Sequence, residues 1–408
     1  MERVYERCCG IDVHKKLIVA CLRRGTQKEV REFGACTREL LELADWLQEN
    51  GCEMVAMEST GSDWKPVCNE LEAQELPAMV VNAQHMKALP GRKTDVKDAE
   101  WIADLLQHGL LRASYIPDKA QRELRELVTY RRSLVGEKSR ELNRLQKMLE
   151  GGNIKLSGTI SNVNGVSGRR ILNALVQGES ITQERLSELV VTRLKADPKK
   201  LLDDLRGILT PIQRKMIGVL LRHIDELDKH IAELDDEIDK NMTDKEKASA
   251  ELLDSIPGIG PDSAKTILSV IGTDMSRFPS PNHLCSWAGV SPGNNERAGK
   301  RNSGRTTKGN NVLKSTLVQC AHSAVQVKSS YFCAQYQRLS VRRGKKRAIV
   351  AVAHSMLIAI FHMLRNGEVF SDLGADYYDQ FNKERKVKSL LAKLNKLGWT
   401  PDNSVVTA

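Results

Sequence analysis

Apolar and polar residues alternate in different ways along the 408-residue chain, and each way predicts a different kind of structure. In the first third, the short apolar runs CCGIDVHKKLIVACL, KEVREFGA, EMVAME and AMVVN are separated by turn signals and by helical patterns. Short apolar runs are typical of strands, and apolar residues that recur every three or four positions are typical of helices. The predicted order is three strands, a helix, a strand, a helix, a strand and a helix.

The middle of the chain carries two long helical patterns with apolar residues at heptad spacing. The first runs from about Arg122 to Glu150, and the second is stricter. Their apolar positions are Val128, Val135, Leu142 and Leu149 in the first and Ile217, Leu220, Ile224, Leu227, Ile231, Leu234 and Ile238 in the second. Such a repeat predicts a coiled-coil arm or a dimer contact. The stretch between the two helices, rich in Gly, Ser and Asn at its start, predicts an inserted helical subdomain at about 151–209.

These patterns divide the chain into four predicted parts. Residues 1–120 have the element order of a ribonuclease H-like α/β domain, and residues 121–246 form the arm with its insertion. Residues 247–370 form a mostly helical domain and residues 371–408 a tail, so the fold class is α/β plus α. The turn IPGIG, near the start of the helical domain, is interpreted either as a helix-hairpin-helix turn whose backbone amides approach phosphates or as a structural turn.

Positive charge is concentrated in one segment. The chain carries a net charge of +10, but the segment from Asn294 to Arg347 has 13 Lys or Arg residues and one acidic residue, which gives +12. A segment of this length and imbalance predicts contact with a nucleic-acid backbone. Its candidate phosphate-binding residues are Lys300, Arg301, Arg305, Lys308, Arg342, Arg343, Lys345, Lys346 and Arg347.

The cysteine pattern and the N-terminal sequence favour a reducing cytoplasm. The nine cysteines include no CxxC pair, which predicts neither a zinc site nor a disulfide framework. The first ten residues, MERVYERCCG, lack the apolar core of a secretory signal. The longest apolar run, residues 348–364, is interrupted by His354, Ser355 and His362, and we interpret it as a buried helix and not as a membrane span.

Four carboxylates fall at the ends of predicted elements in the α/β region. Asp12 lies in the first strand and Glu58 ends the fourth. Asp95 and Asp98 open a helix whose predicted N-cap is Thr94. The i, i+3 spacing puts both aspartates on one helix face. One end of the sheet is therefore expected to gather all four carboxylates.

Carboxylates without His or Cys partners are hard oxygen ligands, which favour Mg²⁺ or Mn²⁺. Two such ions can stabilise the attacking and leaving oxygens of a phosphodiester displacement. Any single acid also has an ordinary explanation, as a helix-dipole or salt-bridge partner. The combination favours a metal site, whereas His14, beside Asp12, is interpreted as an exposed or DNA-contacting residue.

The segments IDVHKK, MESTGSDWKPV, VNAQHMKALPGRKTDVKDAEWIADLL, IPGIG and WAGVSPGNNERAGKRNSGRTTKGN resemble, in order and spacing, the transposases of the insertion sequence 110 family, also called bridge recombinases. The KTDVKDA box and the AGVSPGNN…AGKR…KGN block are the most specific pieces. The resemblance implies a RuvC-like nuclease domain whose metal site falls on Asp12, Glu58, Asp95 and Asp98, and a C-terminal transposase domain that supplies a serine nucleophile. It also implies homodimers and homotetramers, and a structured guide RNA that pairs with donor and target DNA.

The chain departs from that family at the nucleophile. Members of the family read GNNESAGK where this chain reads GNNERAGK, so Arg297 takes the place of the reactive serine. One explanation is that Ser303 acts instead, in a Gly-flanked loop of shifted register, with Thr306 as a weaker substitute and Ser291 too early. A second is that the chain binds nucleic acid without joining strands. A third, an alignment gap, is opposed by the matching NNE and AGK on either side.

The sequence therefore predicts an RNA-guided DNA recombinase of a mobile element, associated with the nucleoid in the cytoplasm of a bacterial or archaeal cell and not with a membrane. One alternative is a metal-dependent site-specific invertase or junction resolvase that uses the carboxylates alone. Another is a catalytically silent RNA- and DNA-binding relative. The residue at position 297 distinguishes the RNA-guided recombinase from the two alternatives. Mn²⁺ binding by the carboxylates distinguishes both enzymes from the catalytically silent relative.

Overall fold

A computed structural model gives the fold of the chain. It describes residues 3–59, 61–81, 95–191, 197–293, 295–297, 300–303, 305–380 and 383–398. The side chains of residues 95–97, 295–297, 300–303, 379 and 384–386 lie outside this description. The chain divides into two compact units, Met1–Pro117 and Asp118–Ala408.

The first unit has the predicted order of strands and helices. Its strands are β1 (Arg7–Val13), β2 (Leu17–Arg24), β3 (Gln27–Gly34), β4 (Met54–Glu58) and β5 (Ala78–Val81), and its described helices are α1 (Thr37–Glu49), α2 (Trp64–Ala73) and α3 (Asp95–Gln107). The described strands form one mixed sheet of order β3-β2-β1-β4-β5. The pairs β1–β2 and β2–β3 are antiparallel, and β1–β4 and β4–β5 are parallel. The predicted α/β character and element order are confirmed.

The two faces of the sheet are covered by different helices because side chains alternate along each strand. In β1, Cys9 and Ile11 are fully buried in a core that includes residues of α1 and α2. The alternate residues Cys8 and Gly10 face α3 instead, where Ile102 completes a second core. Among its described side chains, α3 buries Ala99, Ile102, Ala103, Leu105 and Leu106, which are at most 3% exposed.

The second unit begins with two long helices, α4 (Lys119–Gly151) and α9 (Pro211–Asn241), which pack on each other within one chain. Ion pairs between Arg131 and Asp235 and between Lys138 and Asp228 show that the two helices are antiparallel. Between them lie α5 (Leu156–Thr159), α6 (Val166–Gln177), α7 (Gln183–Leu189) and α8 (Pro198–Asp204). These short helices share an apolar core with the adjoining ends of α4 and α9. The predicted arm is therefore an intrachain helix pair.

The heptad prediction for α4 is wrong at one position. Val135 is 38% exposed, whereas its neighbour Leu134 is buried. A straight α-helix has 3.6 residues per turn, so a strict seven-residue repeat drifts by about 20° per heptad away from the packed face. The buried stripe of α4 accordingly shifts from Val128 to Leu134 and then to Leu145.

The rest of the second unit is mostly helical. Its elements are α10 (Asp244–Asp254), α11 (Pro261–Ile271), a 3-10 turn (Met275–Arg277), α12 (Pro281–Trp287), β6 (Asn295–Arg297), β7 (Lys300–Ser303), α13 (Asn311–Ala324), α14 (Tyr331–Arg343), α15 (Lys345–Asn366), α16 (Tyr377–Gln380) and α17 (Lys383–Lys396). Among the described helices, α15 alone is long and apolar enough to cross a membrane, and half of its apolar window is buried in the fold. Its residues Val352, Met356 and Ile360 are fully buried in the core of this region. The interpretation of residues 348–364 as a core helix is confirmed.

The turn IPGIG packs against the protein's own backbone. Gly258 has a φ of +89°, a left-handed conformation that favours glycine. A Cβ atom there would clash with the carbonyl oxygen of Cys320 and the backbone of Ala324 in α13. Ile256 and Ile259 on either side are buried. These contacts support the structural-turn interpretation over the phosphate-binding one.

Candidate active site

Asp12 and Glu58 lie at the same edge and on the same face of the sheet. In the parallel pair β1–β4, Ile11 is opposite Met57, and each carboxylate is the next residue of its strand. Strand alternation puts Asp12 on the face of Cys8 and Gly10, and Glu58 on the face of Ala56. That face is the one covered by α3, because Cys8, Ala56 and Ile102 share a core. Both strands therefore direct a carboxylate toward α3.

Helix α3 runs antiparallel to β1, which brings its first turn to this edge. The Cys8 thiol donates a hydrogen bond to the carbonyl oxygen of Ala103 at 3.7 Å, and Gly10, two residues along the strand, lies against the backbone of Ala99 and Ala103. Asp12 is two residues beyond Gly10 in the strand, a distance of about 7 Å along β1. Asp95 is four residues before Ala99 in the helix, a distance of about 6 Å along the axis of α3. The start of α3 thus lies near Asp12.

Two ion pairs hold α3 across the antiparallel strands. Arg23 of β2 is 3.1 Å from Asp104, and Lys28 of β3 is 2.8 Å from Glu100. Asp98, which is half-buried, is one turn before the buried residue Ile102 and so belongs to the sheet-facing side of the helix.

Asp12 is largely enclosed at this edge and has a histidine neighbour. Its side chain is 14% exposed, and its Oδ2 atom is 3.2 Å from the Nε2 atom of His14, which is 47% exposed. The predicted exposure of His14 is confirmed, and its contact with Asp12 is an additional feature of the structure. Strand alternation would place residues 12 and 14 on one face, but β1 ends at Val13. His14 can donate a hydrogen bond to the carboxylate and so fix its orientation.

The oxygen donors at this edge suit a hard divalent cation. Among the described side chains, however, no three His, Cys, Asp or Glu groups lie close enough together to hold an ion. Asp12, Glu58 and Asp98 alone therefore do not complete a site. The side chain of Asp95 and the predicted cap Thr94 lie outside the described residues.

The candidate nucleophile segment forms a two-stranded hairpin and not an extended loop. Arg297 is opposite Lys300 at the tip, whereas Ser303 is opposite Asn295 at the base. Ser303 is three residues along the strand from Lys300, the residue opposite Arg297. The distance between these two positions is about 10 Å. The register shifts between Asn295 and Glu296, and in this pairing Ser303 and Arg297 lie at opposite ends of the hairpin.

The base of the hairpin is closed by the backbone, which the sequence pattern did not predict. Gly293 donates a hydrogen bond to the carbonyl oxygen of Arg305 at 2.8 Å, and Thr307 donates one to that of Ser291 at 3.2 Å. The ammonium group of Lys314 donates a hydrogen bond of 2.6 Å to the Thr306 hydroxyl. Ser291 and Thr306 therefore belong to the closing turns of the hairpin.

The densest basic cluster spans the junction of two helices. Arg342 and Arg343 end α14, and Lys345, Lys346 and Arg347 begin α15. All five side chains are exposed, and none makes an ion pair within the described part of the chain. Their positive charge is available to an anionic partner.

Two transposase family models match this chain. The IS110 DEDD transposase model matches residues 9–154, and the model described as the transposase IS116/IS110/IS902 family matches residues 250–337. Together they match more than half of the chain. The chain belongs to the IS110 family of transposases.

Individual relatives agree with this assignment. The transposase is 24% identical over 312 residues to the uncharacterized 43.6 kDa protein of insertion element IS110 from Streptomyces coelicolor, which covers 69% of this chain and 73% of the relative. It is 25% identical over 365 residues to the uncharacterized 42 kDa protein of insertion element IS900 from Mycobacterium paratuberculosis, covering 78% of this chain and 88% of the relative. The chain is thus a DNA transposase.

The two matched ranges contain different candidate residues of the transposase. The first range contains all four candidate carboxylates, and the second contains the hairpin with Arg297 and Ser303. The basic cluster at residues 342–347 follows the second range, and the helices of the insertion lie between the two.

Proposed function

We propose that this transposase is an RNA-guided DNA recombinase of an insertion sequence, which cleaves DNA at a divalent-metal site formed by Asp12, Glu58, Asp95 and Asp98. The observation that carries the proposal is the placement of Asp12 and Glu58 on one face of the sheet, at the edge where α3 begins. The strand order β3-β2-β1-β4-β5 supports a ribonuclease H-like, RuvC-like domain over residues 1–120. In this sheet β1, β2 and β3 pair with one another in antiparallel fashion, whereas β1, β4 and β5 pair in parallel.

The residues of the sheet edge would hold Mg²⁺ or Mn²⁺ through carboxylate oxygens. Such ions, when bound, supply positive charge to the attacking and leaving oxygens of the phosphodiester. The chain's own contribution is to orient the ligands: His14 fixes Asp12, and the ion pairs of Arg23 and Lys28 fix α3. Rigid placement of this kind is what metal-assisted displacement requires of a protein.

The basic residues of the second unit would hold the sugar–phosphate backbones. Lys300, Arg301, Arg305 and Lys308 lie in and beside the hairpin, and the cluster at residues 342–347 adds five exposed cations. Such contacts position nucleic acid without reading its sequence. Sequence choice would then fall to a structured guide RNA that pairs with donor and target DNA, as the family resemblance implies. Assembly as a homodimer or homotetramer and a nucleoid-associated, cytoplasmic location belong to the same proposal.

A second candidate function rests on Arg297. A guanidinium group cannot form the phosphodiester linkage that a serine hydroxyl forms. The hairpin register keeps Ser303 about three residues away from the position opposite Arg297. These two observations favour a relative that binds RNA and DNA but does not exchange strands. Neither observation concerns the four carboxylates, so the proposed metal site is the same for both candidate functions.

One experiment tests the proposal. Purified protein, the element's own RNA and end-labelled donor and target DNA are incubated with Mg²⁺ and resolved on a denaturing gel. We expect metal-dependent cleavage that Asp12→Asn reduces at least about a hundredfold with little change in DNA binding. Asp45→Asn, the same change at an exposed position of α1, is the control and should leave cleavage intact. Full cleavage by the Asp12→Asn variant, or cleavage in EDTA, would contradict the metal-site proposal.

The same gel separates the two candidate functions through a covalent protein–DNA adduct. An adduct in the parent protein that disappears with Ser303→Ala identifies Ser303 as the nucleophile. An adduct that appears only with Arg297→Ser shows that the fold is competent and that the chain with Arg297 does not exchange strands.

A further inference from the structure

A lysine side chain contacts one of the hydroxyl groups at the base of the hairpin. The ammonium group of Lys314, near the start of α13, donates a hydrogen bond of 2.6 Å to the Thr306 hydroxyl. The next residue, Thr307, uses its hydroxyl differently and donates to the carbonyl oxygen of Ser286 at 3.1 Å. Among the described hydroxyl groups of residues 291–307, only that of Thr306 is bonded to a basic side chain.

The pair of Thr306 and Lys314 is a hydroxyl group within hydrogen-bond reach of an amine, which is one arrangement of an activated nucleophile. A lysine acts as the base in serine–lysine variants of the catalytic triad. Lys314 is half-buried, and within the described part of the chain no carboxylate forms an ion pair with it. Such a partner would stabilise the ammonium form, in which a lysine cannot accept a proton. The Thr306 hydroxyl is therefore the partner that the described chain provides for this amine.

Backbone contacts hold both residues of the pair in place. Thr306 is bridged to Pro292 across the closed base of the hairpin. Gly309, in the turn that follows, lies directly on Gly289, because a Cβ atom on Gly309 would clash with the Gly289 backbone. Lys314 belongs to α13, a helix of 14 residues. Rigid placement of this kind is what a catalytic pair requires.

The surroundings of the pair suit a phosphodiester. Arg305 and Lys308 flank Thr306 in sequence, and both side chains are exposed. Cations beside a reacting phosphate stabilise the negative charge that develops on its oxygens. The segment from Asn294 to Arg347 has a net charge of +12, so the substrate that its charge selects is a nucleic-acid backbone.

We propose that Thr306 is a nucleophile of this transposase toward a DNA phosphodiester and that Lys314 is its base. The proposal rests on the proposed recombinase activity, for which it supplies the hydroxyl group that Arg297 lacks. It moves the nucleophile from the tip of the hairpin, where Arg297 lies, to its base. A chain with this pair exchanges strands although position 297 holds no serine.

The covalent step needs no co-reactant. The neutral amine of Lys314 accepts the hydroxyl proton while the Oγ1 atom of Thr306 forms a bond to phosphorus. The bond between phosphorus and one sugar oxygen breaks, and the leaving oxygen takes a proton from the Lys314 ammonium group. The products are a threonine phosphodiester on one DNA strand and a free hydroxyl on the other. Attack by a second DNA hydroxyl on this linkage joins the strands and regenerates Thr306.

A DNA oligonucleotide that ends in a p-nitrophenyl phosphodiester tests the proposal with the full chain. Because p-nitrophenolate is a good leaving group, the reaction needs neither guide RNA nor metal and is run in EDTA. Absorbance follows p-nitrophenolate release, a denaturing gel detects the protein–DNA adduct, and mass spectrometry locates the modified residue. We expect one adduct, attached to Thr306. Thr306→Ala should abolish it, and Thr306→Ser should retain it.

The variant Lys314→Arg separates a base from a cation that only holds DNA. Arginine keeps the positive charge and the hydrogen-bond donors, but it does not accept a proton. We expect this variant to bind the oligonucleotide as the parent does and to release p-nitrophenolate at least about a hundredfold more slowly. Lys229→Arg, the same change at an exposed position of α9, is the control and should keep the parent rate.

Three results would overturn the proposal. An adduct on another residue, such as one that disappears with Ser303→Ala, or no adduct in the parent would exclude Thr306 as the nucleophile. Equal rates in the parent and Lys314→Arg would exclude Lys314 as the base. Because the assay contains no metal, its outcome is independent of the carboxylate site, which the cleavage of unmodified DNA in Mg²⁺ tests separately.

Discussion

Single residues in this transposase show how burial and contact decide chemistry that residue type alone leaves open. Asp12 lies in β1 and His14 follows the end of that strand, and their 3.2 Å contact makes the histidine a partner of the carboxylate. His354 of α15 is a contrasting case. Its Nδ1 atom is buried and has no hydrogen-bond partner in the described part of the chain, and burial lowers the pKa of the imidazole below its ordinary value.

A lowered histidine pKa makes stability depend on pH. As the pH falls below about 6.5, the unfolded chain binds a proton at His354 that the folded chain resists, so this residue stabilises the fold above that pH and the contribution is lost below it. We predict that His354→Leu loses less unfolding free energy than the parent between pH 7.5 and 5.5, as measured by urea titration. His362→Leu, at an exposed position of the same helix, is the control. Equal losses in the parent and His354→Leu would show that His354 does not sense pH.

At the scale of elements, local periodicity predicted the strands and helices, and non-local contacts decided the rest. The order of the first unit follows from apolar runs of period two and of three to four, and Glu58 ends its strand as expected. The hairpin β6–β7 has almost no apolar residues, so no periodic signal could indicate it. The exposure of Val135 and the packing role of Gly258 likewise depend on neighbours distant in sequence.

The position of α3 depends on one such non-local contact. Gly10 allows the backbone of α3 to lie directly on β1, and a Cβ atom there would clash with Ala99 and Ala103. We predict that Gly10→Ala destabilises the fold by about 1–3 kcal/mol, the usual cost of overpacking, and also weakens Mn²⁺ binding because the start of α3 moves away from Asp12. Urea titration and Mn²⁺ electron paramagnetic resonance measure the two effects. Gly158→Ala is the control, since nothing lies within 4 Å of that position, and unchanged Mn²⁺ binding in Gly10→Ala would contradict the assigned geometry.

At the scale of the whole molecule, charge is divided between sequence segments of opposite sign. The segment from Asn294 to Arg347 carries +12, and the acidic segment at residues 225–254 carries −8. The arm helix α4 connects to the basic segment through Arg132, which donates hydrogen bonds of 3.0 Å to the carbonyl oxygen of Val312 and 2.7 Å to the Ser315 hydroxyl. Because α13 is the next helix after the hairpin, the arm supports the part of the chain that is expected to hold phosphates.

This division predicts where salt acts on nucleic-acid binding. Each phosphate neutralised by a protein cation releases counterions, so the slope of log Kd against log salt counts the contacts, at roughly 0.9 per phosphate for duplex DNA. We predict that replacing Lys345 and Lys346 by Ala lowers this slope by about 2, as measured by fluorescence anisotropy with DNA over a range of salt concentrations. The same replacement at Lys199 and Lys200, exposed residues of the insertion, removes equal charge outside the basic segment and should leave the slope unchanged. If both pairs lowered the slope equally, binding would follow net charge, and the basic cluster at the junction of α14 and α15 would not be the phosphate-binding surface.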